Sequence, residues 1–164
     1  MVDIALSKSD LYRIFDNKVN IYVYNEIKKF NSIDELLGKY GRCIILYNWE
    51  PNYGHWCAVS KLDNGDIDFF DSFSSKPDKE LDNIPKQFKM ANGMDYPYLT
   101  KLLYQSPYQI EYNDKVIQDD SSCCCGRYCA IRLSCLHLTI DQFNKLWGKD
   151  KKKNDLLSVR LTEN

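Results

Sequence analysis

An excess of charge of either sign is the first thing this sequence lacks. Its 22 Lys and Arg against 23 Asp and Glu leave a formal net charge of −1, so no global basic field recruits nucleic acid and nothing resembles a charged, disordered tail. Long hydrophobic runs are missing too, since none approaches the roughly 18 apolar residues that a membrane span needs. Met1-Val2-Asp3 opens neither a basic stretch followed by an apolar core nor a small-residue cleavage site. No secretory leader is therefore expected, and the chain reads as soluble and intracellular. Glycine and proline are few, at seven and five, and no internal repeat or low-complexity segment is found.

The chain does have enough material for one core. Its 164 residues, 44% apolar and 27% charged, fit a single domain spanning 1–164 that needs neither disulfides nor a structural metal. Seven cysteines, an odd number crowded toward one stretch, read as intracellular thiols rather than a disulfide framework. The run Lys149-Asp150-Lys151-Lys152-Lys153 reads as a solvated loop after a helix.

Patterning gives the elements. Residues 7–15 form a helix opened by a Ser cap, and the Ser32-Ile33-Asp34-Glu35 capping pattern opens another, ended by Gly38 or Gly41. Between them residues 20–24 make a short strand, and residues 42–47, apolar on both faces, a central one. Residues 55–62 and 66–72 flank Asp63-Asn64-Gly65, a hairpin signal. A three-residue loop with Gly65 left-handed pairs Leu62 with Asp66 and sets Cys57 opposite Asp71. His55, Cys57, Val59, Phe69, Asp71 and Phe73 then share one face, while Ser60, Asp66, Asp68 and Ser72 share the other, with Asp68 toward solvent. Residues 76–92 read as a loop with one helical turn near 78–81, and residues 98–104 as a helix. Residues 108–112 and 115–118 read as strands joined at Asn113-Asp114. A buried helix is expected over 125–138, another over 139–147, and a short last one over 155–161.

The chemistry lies around Gln118-Asp119-Asp120-Ser121-Ser122-Cys123-Cys124-Cys125-Gly126-Arg127-Tyr128-Cys129. A thiol is a useful nucleophile only as thiolate, and its ordinary pKa is about 8.5, so a catalytic cysteine needs local positive potential. Cys125, immediately before Gly126 at the start of the helix, would receive it from the helix N-terminus and from a protonated His55. Asp71 would orient the imidazole. Gln118 and backbone N–H groups would stabilise an oxyanion, and Gly126 would leave room for substrate. Cys123 and Cys124 compete with Cys125 for the nucleophile's place. Cys43, Cys57, Cys129 and Cys135 read as small buried hydrophobes, and His137 as a structural or surface residue. There is no C-x-x-C pair, and three consecutive thiols do not converge easily on one zinc, so neither a metal nor a cofactor is expected.

Gly54-His55-Trp56, then Phe69-Phe70-Asp71, then Gln118 and Cys125-Gly126-Arg127-Tyr128-Cys129 resemble the adenain-type and ubiquitin-like-protease superfamily of cysteine peptidases. Its order along the chain is His, Asp or Glu, Cys, with a Gln ahead of the Cys, whereas papain-like enzymes run Cys, His, Asn. The steps from His55 to Asp71 and from Gln118 to Cys125 are closer to the adenovirus-type maturation protease. The SUMO-specific branch usually has Asp before the nucleophile, where this chain has Cys124. The resemblance, strongest over residues 55–133, implies an α+β adenain-like fold, with a central Cys-bearing helix packed on a mixed or antiparallel sheet and flanked by helices. It implies a thiol protease with catalytic His55, Asp71, Gln118 and Cys125. The setting would be a virus or virophage, with the enzyme in the virion, host cytoplasm or viral factory. Its protein substrates would be capsid or scaffold precursors, and an activating peptide is among the implied partners, with no membrane and no nucleic acid. A deubiquitinase or deSUMOylase acting on ubiquitin-like conjugates, and a noncatalytic interaction domain of the same fold, are the alternatives.

Overall fold

The computed structural model describes residues 5–163 of the chain; Met1-Val2-Asp3, read above for a leader, lies outside them. The architecture is α+β. Twelve elements follow in order: α1 Lys8–Ile14, β1 Asn20–Val23, α2 Ile33–Leu37, β2 Arg42–Glu50, β3 Tyr53–Lys61, β4 Ile67–Phe70, α3 Lys86–Ala91, α4 Tyr98–Gln105, β5 Ile110–Tyr112, α5 Cys125–Leu133, α6 Ile140–Asn144 and α7 Lys151–Thr162, with short 3-10 turns at Tyr24–Lys29, Gly38–Tyr40 and Lys79–Asn83. No helix among the described residues is long and apolar enough to cross a membrane.

The sheet is mixed, in the order β1-β2-β3-β4-β5. The outer strands β1 and β5 run parallel to their neighbours, while β2, β3 and β4 form an antiparallel meander. One face is covered by α1, α5, α6 and α7 through Leu11, Tyr128, Ala130, Phe143 and Val159 packed on Ile44, Trp56, Ala58 and Phe70. The 3-10 turn at Tyr24–Lys29, α2 and α4 cover the other, with Tyr24, Leu36 and Leu99 against Ile45, Tyr47, Val59 and Phe69. Both sheet faces are therefore buried, and this is why β2 and β3 read as nearly continuous apolar runs.

The β3–β4 hairpin takes the expected register. Leu62 N–H donates to Asp66 O at 2.8 Å and Gly65 N–H to Leu62 O at 2.9 Å, and Gly65 sits at φ 90°, a conformation that only glycine adopts without strain. Ser60 pairs with Asp68, and Ala58 with Phe70.

Other expectations need correcting. Asp68 is not solvent-facing: it is 1% exposed and bonded to the Nε of the fully buried Arg132 on α5 at 3.1 Å. That same arginine shortens α5, which ends at Leu133 rather than at 138. Its Nη1 donates to the carbonyls of Cys135 and Leu138, so a guanidinium, rather than further helical turns, satisfies them. Residues 115–118 are not a strand. Asn113 clamps the Asp71 backbone from both sides, its Oδ1 accepting from Asp71 N and its Nδ2 donating to Asp71 O. The chain beyond it runs as a loop with Ile117 N–H bonded to Ser72 O. The lysine run is not a loop either, because Lys151, Lys152 and Lys153 form the first turn of α7. The Asp150 side chain caps that turn by accepting from Lys153 N–H, which offsets cations lying at the unfavourable end of the helix dipole. Within 76–92, α3 adds a helix that no side-chain cap announces.

Candidate active site

The hairpin delivers two of the expected residues to one place. Cys57 faces Asp71 by the register above, and His55 lies two residues earlier on the same face. Accordingly, His55 Nε2 lies 3.0 Å from Asp71 Oδ1, with both side chains buried. Oδ1 also accepts from Phe73 N–H at 2.8 Å, and Oδ2 accepts from the Cys57 thiol at 3.6 Å. Cys57 is thus buried, as expected of a small hydrophobe, but it is also a hydrogen-bond donor. The Phe73 ring stacks on the imidazole, with centroids 5.3 Å apart and planes at 29°.

Gly54 sets the height of His55. A Cβ there would lie 2.1 Å from the Tyr47 carbonyl oxygen, so only glycine allows this close approach of β3 to β2. The β2–β3 pairing shifts register between Asn48 and Glu50, and such bulges re-aim side chains beside sites. Trp49, at the shift, lines the cavity together with Tyr53, and the two rings meet edge to face at 5.6 Å.

Of the three consecutive thiols, Cys125 is the one that reaches this pair. Its Sγ accepts from Trp56 N–H at 3.5 Å and lines one cavity with the His55 imidazole, close enough for the two groups to interact electrostatically. With Nε2 engaged by Asp71, Nδ1 is the ring nitrogen left for the thiol. Cys125 is the first residue of α5, where backbone N–H groups have no intrahelical acceptor and the helix presents its positive end. Cys124 is fully buried in the core beneath α5. Cys123 lies at the cavity wall, 3.7 Å from the Tyr53 hydroxyl.

Gly126 serves a different purpose from the one expected. A Cβ on it would meet the Trp56 indole at 3.0 Å and Leu6 at 3.5 Å, so its missing side chain admits Trp56 rather than substrate. That indole is pinned by its Nε1 to the Leu6 carbonyl, and the helix start rests on it. Gln118 is 1% exposed and reaches the cavity. Its Oε1 accepts from Ser72 Oγ at 2.5 Å, and its Nε2 donates to Ser122 O and Ser122 Oγ, each at 3.0 Å. His137 is exposed and away from the site.

These groups surround a cavity of about 420 Å³ lined by His55, Cys125, Gln118, Cys123 and Ser122, with Trp49, Tyr53, Trp56 and Phe73 as its aromatic wall and Glu80 and Asp120 at its rim. Sequence reasoning missed Trp49, Tyr53 and Glu80 as cavity residues. Phe73 had already been placed on the His55 face, and the alternation there was the signal for its contact with the ring.

The electrostatics favour a charged imidazole. Burial disfavours the cation, yet the neighbouring Cys57 and Cys125 sulfurs and the hydrogen bond to Asp71 outweigh it and raise His55 well above its ordinary value of 6.5. Burial and then the Asp71 charge push the Cys57 thiol up. Burial also raises Cys129 and Cys43, so these thiols are inert at neutral pH. Burial likewise raises the Glu80 carboxyl, against the pull of His55. One donor atom each from His55, Cys57 and Asp71 lies within 4.8 Å of the others. Because both Asp71 oxygens already accept N–H or S–H protons, we read this convergence as a proton-sharing chain. It can orient a base, hold a thiolate–imidazolium pair and polarise a carbonyl at a helix start.

No family model matches the chain. It is 38% identical over 144 residues to the uncharacterized protein V9 of Sputnik virophage, covering 87% of this chain and 82% of that protein.

Proposed function

The chain belongs to the family of the virophage protein V9, and from that premise we propose that it is an adenain-like cysteine endopeptidase that matures viral capsid or scaffold precursors. The observation that carries this reading is the convergence on one cavity of Cys125, at the N-terminus of α5, and the hydrogen-bonded His55–Asp71 pair.

The steps follow from the atoms present. Cys125 Sγ adds to the scissile carbonyl carbon, and the C=O electron pair moves onto oxygen. Backbone N–H groups at the start of α5 receive that oxyanion. Gln118 Nε2 joins them by exchanging its bond to the Ser122 hydroxyl for one to the oxyanion. The oxyanion collapses, the C–N bond breaks, and His55 Nδ1 gives its proton to the departing amine, leaving a thioester. Water then adds to the thioester as His55 takes its proton. The C–S bond breaks, releasing the acid product and restoring the Cys125–His55 pair. Asp71 holds the imidazole in one tautomer throughout.

The test is to incubate the full chain, and its Cys125→Ala form, with the structural proteins of a virophage genome and to map new termini by mass spectrometry. Discrete cuts made by the wild type alone are expected. The endopeptidase reading fails if both forms leave the precursors intact. Cleavage confined to a ubiquitin-like modifier conjugate would reassign the same chemistry to an isopeptidase.

A further inference from the structure

Cys57 is the one thiol bonded to the proposed triad that the mechanism above leaves unused. It is fully buried on β3 and bonded to Asp71, which lies one step beyond the Ala58–Phe70 pair of the hairpin. Asp71 Oδ1 is shared between His55 Nε2 and Phe73 N–H, while the donor on Oδ2 is the Cys57 thiol. A carboxylate gripped through one oxygen can turn about its broad terminal torsion. A donor on the second oxygen fixes its plane. A buried carboxylate also needs donors to remain charged.

The groups facing Asp71 sharpen the point. They are His55 and Cys57 from β3, Cys129 from α5, and Glu80 from the 3-10 turn at Lys79–Asn83. His55 is the one cation in that set, so hydrogen-bond donors carry the rest of the stabilisation. Valine or alanine at position 57 would satisfy the surrounding Tyr47, Val59 and Phe69 but would leave Oδ2 without its donor. Because its thiol stays protonated, Cys57 donates throughout the neutral range.

We propose that Cys57 is a positioning residue: its S–H fixes the Asp71 carboxylate and thereby aims the His55 imidazole at Cys125. The inference rests on the reading of Cys125 as nucleophile, and its test separates the two. The rate of iodoacetamide alkylation at each cysteine of the full chain, mapped by mass spectrometry between about pH 5 and pH 9, is compared for wild type, Cys57→Ala, Cys57→Val and Cys57→Ser. In Cys57→Ala and Cys57→Val the acid limb of the Cys125 profile should move up by about one pH unit. On a cleavable peptide, kcat should fall roughly tenfold with KM little changed. Serine, which restores a donor, should return the limb and bring kcat to within about threefold of wild type. Thermal melts identify any variant that has lost its fold, and the Val–Ser comparison stands if Ala is lost. An unmoved acid limb in Cys57→Val, or serine behaving like valine, overturns the positioning role while the nucleophile reading survives. If wild-type Cys125 alkylates no faster than the half-buried Cys135, both fall together.

Discussion

At the residue scale, the site's chemistry depends on who holds each proton. Gln118 has both amide protons engaged by Ser122, so its contribution to an oxyanion comes through exchange with a hydroxyl and not from a vacant donor. Gln118→Ala should lower kcat on the order of 10²-fold with little change in KM, and steady-state kinetics on a peptide substrate would show it. His55 makes a second prediction, through stability. Its folded pKa is raised above the unfolded value near 6.5, so its pairing adds stability that is complete below that value and is lost as pH rises through the folded one. The melting-temperature gap between wild type and His55→Gln should therefore be largest near about pH 6 and shrink toward alkaline pH. A gap that widens with pH would mean that the imidazole is neutral in the folded chain. That His55, Asp71 and Cys125 would come together was legible from residue type and order. Asp68 was misread because the arginine that compensates it lies 64 residues away.

At the scale of elements, two glycines do different work. Gly54→Ala would place a Cβ 2.1 Å from a backbone oxygen, which β2 and β3 cannot yield without unpairing. A loss of more than about 3 kcal/mol in chemical denaturation is expected. Gly126→Ala meets an indole edge at 3.0 Å, and alanine's helix preference of about 1 kcal/mol offsets part of the strain. Stability should change by less than about 1 kcal/mol, while kcat falls on the order of tenfold, because Trp56 carries the N–H that touches Cys125. The β3–β4 register was readable in advance, since only the Gly65 bulge puts the apolar residues and the two catalytic candidates on one face. Where α5 ends was not, because a tertiary arginine contact decides it. Nor was the fate of residues 115–118, where the Asn113 clamp replaces a second strand.

At the scale of the whole molecule, α5 is fixed to the sheet at both ends: Cys125 and Gly126 lie on Trp56, and Arg132 bonds Asp68 on β4. Arg132→Met alone leaves the buried Asp68 carboxylate uncompensated and should cost about 3–5 kcal/mol. The double variant Arg132→Met with Asp68→Leu should recover most of it, and a double-mutant cycle by denaturation measures both. The α+β class implied by the resemblance matches the mixed sheet and its helices. The parallel outer strands were not, since the partner of β5 is reached only after α3 and α4, and local pattern does not specify which edge a returning strand joins. Part of the cavity lining was hidden for the same reason, because Trp49 stands at the β2–β3 register shift and Glu80 arrives on the turn at residues 79–83.

The central claim is that Cys125, activated by His55, is the nucleophile. Intact-mass and peptide mapping after exposure to a glycine-ended peptide vinyl sulfone tests it most directly, because that electrophile is captured by an activated thiol at the site. The account predicts a single adduct on Cys125 in the wild type, and its loss or a slowing on the order of 10³-fold in His55→Ala. An adduct on Cys123 or Cys124, or capture at Cys125 that is just as fast without His55, would contradict it.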